Sequence, residues 1–588
     1  MTTLRTTVLE KINSPEDVKK LSFEEMNILA DEIRQGVINR VDKVGGHLGP
    51  DLGIVEATIA LHYVFDSPKD KLIFDVSHQC YPHKMLTGRK QGFLDPLNHP
   101  EISGYSNQNE SVHDHFMIGH TSTSVTLATG VAKARDLKGE NYNVISLIGD
   151  GSLSGGEAFE GFNNASVLNS NLIIIVNDNE MSIAENQGGL YKNLKELRDS
   201  NGTCANNWFK TFGFDYIYVE QGNNIETLIK TFSDIKDSTK PVVVHIHTLK
   251  GKGFEKAVAN KEWGHWAMPG ILSEESPFSE TPECYETITK NYILDKVKQD
   301  KTVMAINAAT PGVFWWDSEF RNKLGENYTD VGIAEQHAVG YASGLARNGA
   351  KHIFAVMTSF IQRAYDQLSQ DLALNNSPAT ILVYWGGISS ADCTHLGLFD
   401  IPLICNIPNI VYLAPTCKEE YLQMLDWSVK QNEHPVAIRV PTANYIISGE
   451  VDNTDYSILN KYKLVERGTK VAIIGLGDFF ELGKEVKKEL KSKLEIDATL
   501  INPRFITGID KELLENLKSD HDIIITLENG TLDGGFGEKI SRFYGSSDIK
   551  VLNYGAFKEF NDRKPMELLN ERYHLTKEII AKDIEKLI

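Results

Sequence analysis

The chain has 588 residues, 41% of them hydrophobic and 24% charged, with a formal net charge of −20. That length exceeds what one hydrophobic core supports and predicts three or four domains. The acidic balance argues against a nucleic acid or an anionic membrane as the main partner, while leaving anionic small ligands open wherever a lysine, arginine or metal sits locally.

Cysteines at 80, 204, 284, 393, 405 and 417 form no CxxC pair and no disulfide framework, which suits a reducing compartment. Met1 to Asp17 mixes Glu, Lys and Asp without an apolar stretch, so no secretory leader is expected. No apolar run approaches a membrane span. The expected location is the cytoplasm.

In chain order, Ser22 and Glu25 read as a capping box. Phe23, Met26, Leu29, Ala30, Ile33, Val37 and Ile38 follow at helical spacing. Strand-length apolar runs come at 71–76, 142–148, 171–177 and 242–248, separated by helical stretches, which predicts a parallel sheet covered on both faces. Pro269, Pro277 and Pro282, among Glu, Ser and Gly, mark a linker. A second series has strands near 302–307, 352–357, 379–385, 410–415 and 436–440. After a polar joint at 447–459, a third has strands near 470–475, 498–502, 522–527 and 550–553. The expectation is therefore an α/β protein of three consecutive domains with mainly parallel sheets: 1–260, a linker at 261–295, then 296–450 and 451–588. Gly475 and Gly477 follow a strand, but the next glycine is Gly483, so no dinucleotide fingerprint is present and a plain strand-to-helix turn is predicted.

The densest chemistry lies between 148 and 181. One predicted strand runs into Gly149-Asp150-Gly151-Ser152 and the next into Asn177-Asp178-Asn179-Glu180-Met181. Both groups thus fall at carboxyl ends of neighbouring parallel strands, where open α/β sheets bind ligands. Magnesium requires hard oxygens in octahedral geometry. Asp150 offers a carboxylate, Asn179 an amide oxygen, and a backbone carbonyl just beyond a third ligand. Gly149 and Gly151 are expected to let the backbone turn and approach phosphate oxygens, with the following helix aiming its amides at the anion. A lone Gly-Asp-Gly usually marks only a turn; the Asn-Asp-Asn turn closing the next strand makes the pair specific.

With these residues the sequence resembles the thiamine diphosphate enzymes of transketolase-like fold, and among them the deoxyxylulose phosphate synthases. Gly45-Gly46-His47-Leu48, the block Asp75 to Lys84, Gly119 to Ser124, Asn179 to Ile183, Ala334 to Ala338 and Phe360 to Gln367 carry the likeness, which runs from about residue 20 to the C-terminus. The resemblance implies that Asp150, Asn179 and the carbonyl of Met181 bind Mg2+. It implies that His78, Gly119, His120, Thr121, Gly151, Ser152, Asn179 and Phe254 contact thiamine diphosphate, with Glu335 facing the aminopyrimidine ring and Phe360 stacked on it. A carboxylic acid against that ring favours the cofactor tautomer able to take the thiazolium proton.

A lone histidine is more often structural than catalytic, but His47, His78, His265 and His395 each stand in a family motif. Glu335, His47, His265, His395 and Asp392 are the catalytic residues implied, and His47, Arg363, Asp392 and His395 the substrate contacts. The reaction implied decarboxylates pyruvate and joins the two-carbon unit to glyceraldehyde 3-phosphate, in a homodimer. Another aldehyde acceptor, a transketolase-like ketol transfer and a catalytically silent regulatory subunit are the competing readings.

The departures from the family cluster on the acceptor side. Trp385 and Thr442 stand where arginines are usual, Met357 where a tyrosine is, and the loop from Ser390 to His395 is one residue shorter. The stretch from Asn186 to Trp208 is also shortened. Phosphate binding would then fall to Arg363, Arg439 or a lysine, since charged hydrogen bonds of about 1.5–3 kcal/mol each are lost with the two guanidiniums.

Overall fold

The computed structural model describes residues 7–272, 283–441 and 446–588. It divides into two compact units, residues 1–280 with 332–334, and residues 281–331 with 335–588.

In the first unit the short helices Val8–Lys11 and Pro15–Val18 lead into the long helix Phe23–Val44. Ser22 Oγ accepts from the Glu25 N–H while the Glu25 carboxylate accepts from the Ser22 N–H, so the predicted capping box is present. Met26, Leu29, Ala30, Ile33 and Val37 are buried, whereas Phe23 is exposed and Ile38 half-buried. The sheet that follows is parallel throughout, with Lys71–Phe74, Val144–Gly149, Leu172–Asp178, Pro241–His247 and Asp215–Val219 side by side in that order. Leu172–Asp178 is buried along its whole length, as a central strand covered by helices on both faces must be. The edge strand Asp215–Val219 was not anticipated, although Tyr216, Ile217, Tyr218 and Val219 are strand-favouring residues; only Val219 in it is buried. A two-residue ladder pairs Gly46–His47 with Trp266–Ala267 and brings two of the motif histidines together.

The second unit holds two further sheets. One is parallel and six-stranded, with Val303–Asn307, Lys351–Met357, Thr380–Tyr384, Val411–Leu413 and Val436–Val440 close to the predicted runs and Tyr328–Asp330 added at an edge. The other has Lys470–Gly475, Thr499–Asn502, His521–Thr531 and Lys550–Ala556 in parallel, with the unanticipated Lys463–Glu466 antiparallel at one edge. Lys463–Glu466 is exposed along its length, so nothing in its composition announces a strand. After Gly475 the chain makes a short 3-10 turn and enters the helix Phe480–Leu494, the plain turn expected there.

Candidate active site

In the first unit, Asp150 starts a 3-10 turn directly after the strand Val144–Gly149. Its carboxylate is 1% exposed and accepts from Asn186 Nδ2 at 2.6 Å. Burial, reinforced by the neighbouring negative charge of Asp178, pushes Asp150 up to about 8, against the opposing pull of Asn186 and Lys250. Asp178 points into a different network. Burial opposes its ionisation, yet His245 at 2.9 Å and Arg198 at 2.5 Å hold it down to about 2.

Asn179 Oδ1 accepts from the Met181 N–H at 3.3 Å, which folds the segment so that side-chain oxygen and following carbonyl lie in one tight turn. The α-helix expected straight after Gly151 starts only at Gly156, behind the 3-10 turn. Gly149 and Gly151 are in ordinary negative-φ backbone, so a sharp glycine turn is not what they supply. Gly151 is instead needed because a Cβ there would meet Ser182 at 2.9–3.0 Å, while one at Gly149 would meet nothing within 4 Å.

Asp75 accepts from the Ser122 and Ser124 N–H groups at 2.8 and 2.9 Å, and Ser122 Oγ donates to the Ser152 carbonyl at 2.8 Å. The Gly119–Thr121 turn is thereby tied to Ser152. The rings of His47, His78 and His265 lie together: 5.0 Å between His47 and His78, 5.5 Å between His47 and His265, 5.3 Å between His78 and His265. Burial, then the nearby charge of Lys250, drives His265 far below the usual imidazole range, so it is a neutral base. Phe254 packs partly buried on the core at the start of the short helix Glu255–Ala259.

Sequence reasoning missed Lys250, Asn186, Tyr191 and Tyr105. Lys250 is 1% exposed, donates to the Ser182 carbonyl at 2.6 Å, and is brought down to about 7 by burial despite the attraction of Asp150. Its setting after a strand, before Gly251 and Gly253 at φ +81 and +87, is the signal that was available. The Tyr191 hydroxyl, with one hydrogen to share, lies 3.1 Å from both the Asp150 and the Gly151 carbonyl oxygens, and the Tyr105 ring stands 5.7 Å from that of His47.

In the second unit, Glu335 heads the helix Glu335–Arg347, 2% exposed, with Arg363 Nη1 3.3 Å from its carboxylate. Burial raises its pKa above the ordinary carboxylate value and Arg363 opposes that rise. Phe360 and His395 meet edge to face at 5.6 Å. Asp392 Oδ1 accepts from Thr394 Oγ1 at 2.8 Å, and Thr394 Oγ1 lies 2.9 Å from His395 Nδ1. With its proton given to Asp392, the hydroxyl accepts from Nδ1–H, which leaves Nε2 as the acceptor. Burial takes His395 down to about 4, so it too is neutral.

Arg439 does not meet the expectation of a mobile phosphate ligand. It is buried, pairs with Asp400 at 2.6 and 3.1 Å and donates to the Asn529 carbonyl at 2.6 Å. Arg363 is likewise placed beside Glu335. Trp385 is 42% exposed and Met357 is buried. Thr442 lies outside the described residues.

A family model described as 1-deoxy-D-xylulose-5-phosphate synthase matches residues 9–205 and 201–248. Models of the transketolase pyrimidine binding domain and the transketolase C-terminal domain match residues 285–447 and 460–580. A 1-deoxy-D-xylulose-5-phosphate synthase of Clostridium botulinum (strain Alaska E43 / Type E3) is 37% identical over 98% of this chain and 99% of its own. One of Halothermothrix orenii is 37% identical over 99% of this chain and 97% of its own. Among solved structures, a transketolase from Leishmania mexicana covers 96% of this chain and 97% of its own at 15% identity, with a TM-score of 0.44. With near-complete coverage at that identity to the curated relatives, the chain belongs to the 1-deoxy-D-xylulose-5-phosphate synthase family.

Proposed function

We propose that the protein is a thiamine diphosphate-dependent transferase that decarboxylates pyruvate and joins the two-carbon unit to glyceraldehyde 3-phosphate, giving 1-deoxy-D-xylulose 5-phosphate. The observation that carries this reading is the 37% identity to a synthase of that name along nearly the whole chain. The described residues fit the group. A buried Asp150 carboxyl displaced to about 8 is a site whose ionised form a divalent cation would restore. Beside it, the buried Lys250 ammonium has three donors and one described acceptor, Ser182, so it suits an anionic oxygen.

In this reading Asp150, the Asn179 side chain and the Met181 carbonyl hold Mg2+. His78, Gly119, His120, Thr121, Gly151, Ser152 and Lys250 hold the diphosphate, and Phe254 and Phe360 give apolar contact. When bound, thiamine diphosphate supplies the nucleophilic carbon and the electron sink for decarboxylation. Burial, against the pull of Arg363, favours the protonated form of Glu335, which would donate to a ring nitrogen. His47, together with the neutral His265 and His395, would receive and return protons as carbon dioxide leaves and the new hydroxyl forms. Asp392 fixes the His395 tautomer through Thr394, and Arg363 orients Glu335 and the acceptor side.

In this reading the chain is organised as domains 1–260, 296–450 and 451–588, with 261–295 as the linker between the first two. A homodimer acting in the cytoplasm completes the reading, supported by the family and by six cysteines that are all free. No helix among the described residues is long and apolar enough to cross a membrane. A product assay with labelled pyruvate and a panel of aldehydes tests it: labelled 1-deoxy-D-xylulose 5-phosphate is expected with glyceraldehyde 3-phosphate, and its absence under magnesium and cofactor would overturn it.

A further inference from the structure

The loop between the strand Thr380–Tyr384 and the helix Asp400–Cys405 carries Asp392 and His395. The loop pairs with itself at the antiparallel Gly387–Gly397 bridge, where the Gly387 N–H donates to the Gly397 carbonyl at 2.7 Å, so what bonds the amides and carbonyls between those residues decides where its side chains stand. Here the partners come from the last sheet's region of the same unit. Asn529 Oδ1 accepts from the Ile388 N–H at 2.7 Å, and the Thr531 N–H donates to the Leu398 carbonyl at 3.2 Å, which pins both ends.

Between those ends, three consecutive residues after the strand Lys550–Ala556 reach alternate loop positions. Asn561 Nδ2 donates to the Ser389 carbonyl at 3.2 Å, the Arg563 N–H donates to the Ala391 carbonyl at 3.0 Å, and Asp562 Oδ1 accepts from the Cys393 N–H at 3.2 Å. Arg563 adopts φ +46, a left-handed conformation that costs a non-glycine residue energy and persists where surrounding contacts fix it. Asn561 is buried, and atoms of Asp392, Cys393 and Asp562 all lie within 4.8 Å of one another.

We propose that Asn561, Asp562 and Arg563 form a positioning element for the acceptor half of the reaction, holding the loop so that Asp392 and His395 present a fixed face to the aldehyde. This rests on the reading of those two residues as acceptor contacts. The three residues touch the loop rather than the reacting atoms, so their effect is expected on aldehyde binding more than on pyruvate binding.

The test compares Asp562→Ala with Asp562→Asn, measuring KM separately for glyceraldehyde 3-phosphate and for pyruvate, with a melting curve for each variant. Asp562→Ala is expected to raise KM for the aldehyde by about tenfold, as loss of one hydrogen bond to a charged group does, with KM for pyruvate held within about twofold. Asp562→Asn keeps an oxygen for the Cys393 N–H and is expected to return the aldehyde KM toward the parent value. Unchanged values in Asp562→Ala, or an equal rise in both, would overturn the proposal. If Asp562→Ala does not fold, Asn561→Ala reads the same split through Ser389. Failure of the parent enzyme to form product would instead sink the function reading itself.

Discussion

The Lys250 ammonium donates to the carbonyl oxygen of Ser182 at 2.6 Å, one residue beyond Met181. It therefore braces the turn that presents Asn179 and the Met181 carbonyl, and places a buried cation beside Asp150. Lys250→Met removes both effects while keeping most of the side-chain volume. Affinity for thiamine diphosphate with magnesium, read by calorimetry, is expected to fall by about 10- to 100-fold, corresponding to one charged hydrogen bond of about 1.5–3 kcal/mol. Unaltered affinity would exclude Lys250 from the diphosphate site.

Burial raises the Glu335 pKa above the ordinary carboxylate value, and Arg363 opposes the rise. Glu335→Gln retains a hydrogen-bonding group of the same size but cannot exchange a proton. Turnover is expected to drop by about 100- to 10,000-fold, the range for lost proton-transfer catalysis, with cofactor affinity changed little. Stopped-time product assays beside cofactor titrations separate the two, and a variant with normal turnover would remove Glu335 from the chemistry.

Trp385 is exposed, and Arg439 is committed to Asp400. Trp385→Arg adds a guanidinium without evicting a buried side chain. The expected outcome is a KM for glyceraldehyde 3-phosphate lowered by about tenfold relative to that for unphosphorylated glyceraldehyde. An equal change for both aldehydes would show that position 385 does not face the phosphate.

His352 is buried at the start of the strand Lys351–Met357, and burial brings its imidazole down to about 4 from 6.5. Between those two values the unfolded chain takes up a proton that the folded chain refuses. Stability therefore falls as the pH drops from 6.5 to about 4, by about 3 kcal/mol in all for this group, and is insensitive to it above 6.5. His352→Leu is expected to flatten that part of the urea-midpoint profile. A profile parallel to the parent's would contradict the assignment.

Much of this was legible in the sequence for physical reasons. Strands such as Leu172–Asp178 are buried on both faces and so read as unbroken apolar runs, and the Ser22–Glu25 box announces its helix through local hydrogen bonds. Lys463–Glu466 was not legible, because an exposed edge strand needs few apolar side chains, whereas Asp215–Val219 carried the legible run Tyr216 to Val219 and was overlooked. Lys250 was overlooked because a lysine reads as solvent-exposed unless its burial is known. Arg439 was misjudged for the opposite reason: only the fold shows that Asp400, 39 residues earlier, already holds its guanidinium. The clamp of Asn561 to Arg563 on the Ser389–Cys393 loop spans about 170 residues, beyond any local pattern.

Titration of the purified protein with thiamine diphosphate, with magnesium and then with excess chelator, tests the central claim most directly when paired with Asp150→Asn. The expected result is magnesium-dependent binding that the chelator abolishes and that Asp150→Asn weakens by at least about 100-fold. Absence of binding in the parent protein, or binding indifferent to both the chelator and Asp150→Asn, would contradict it.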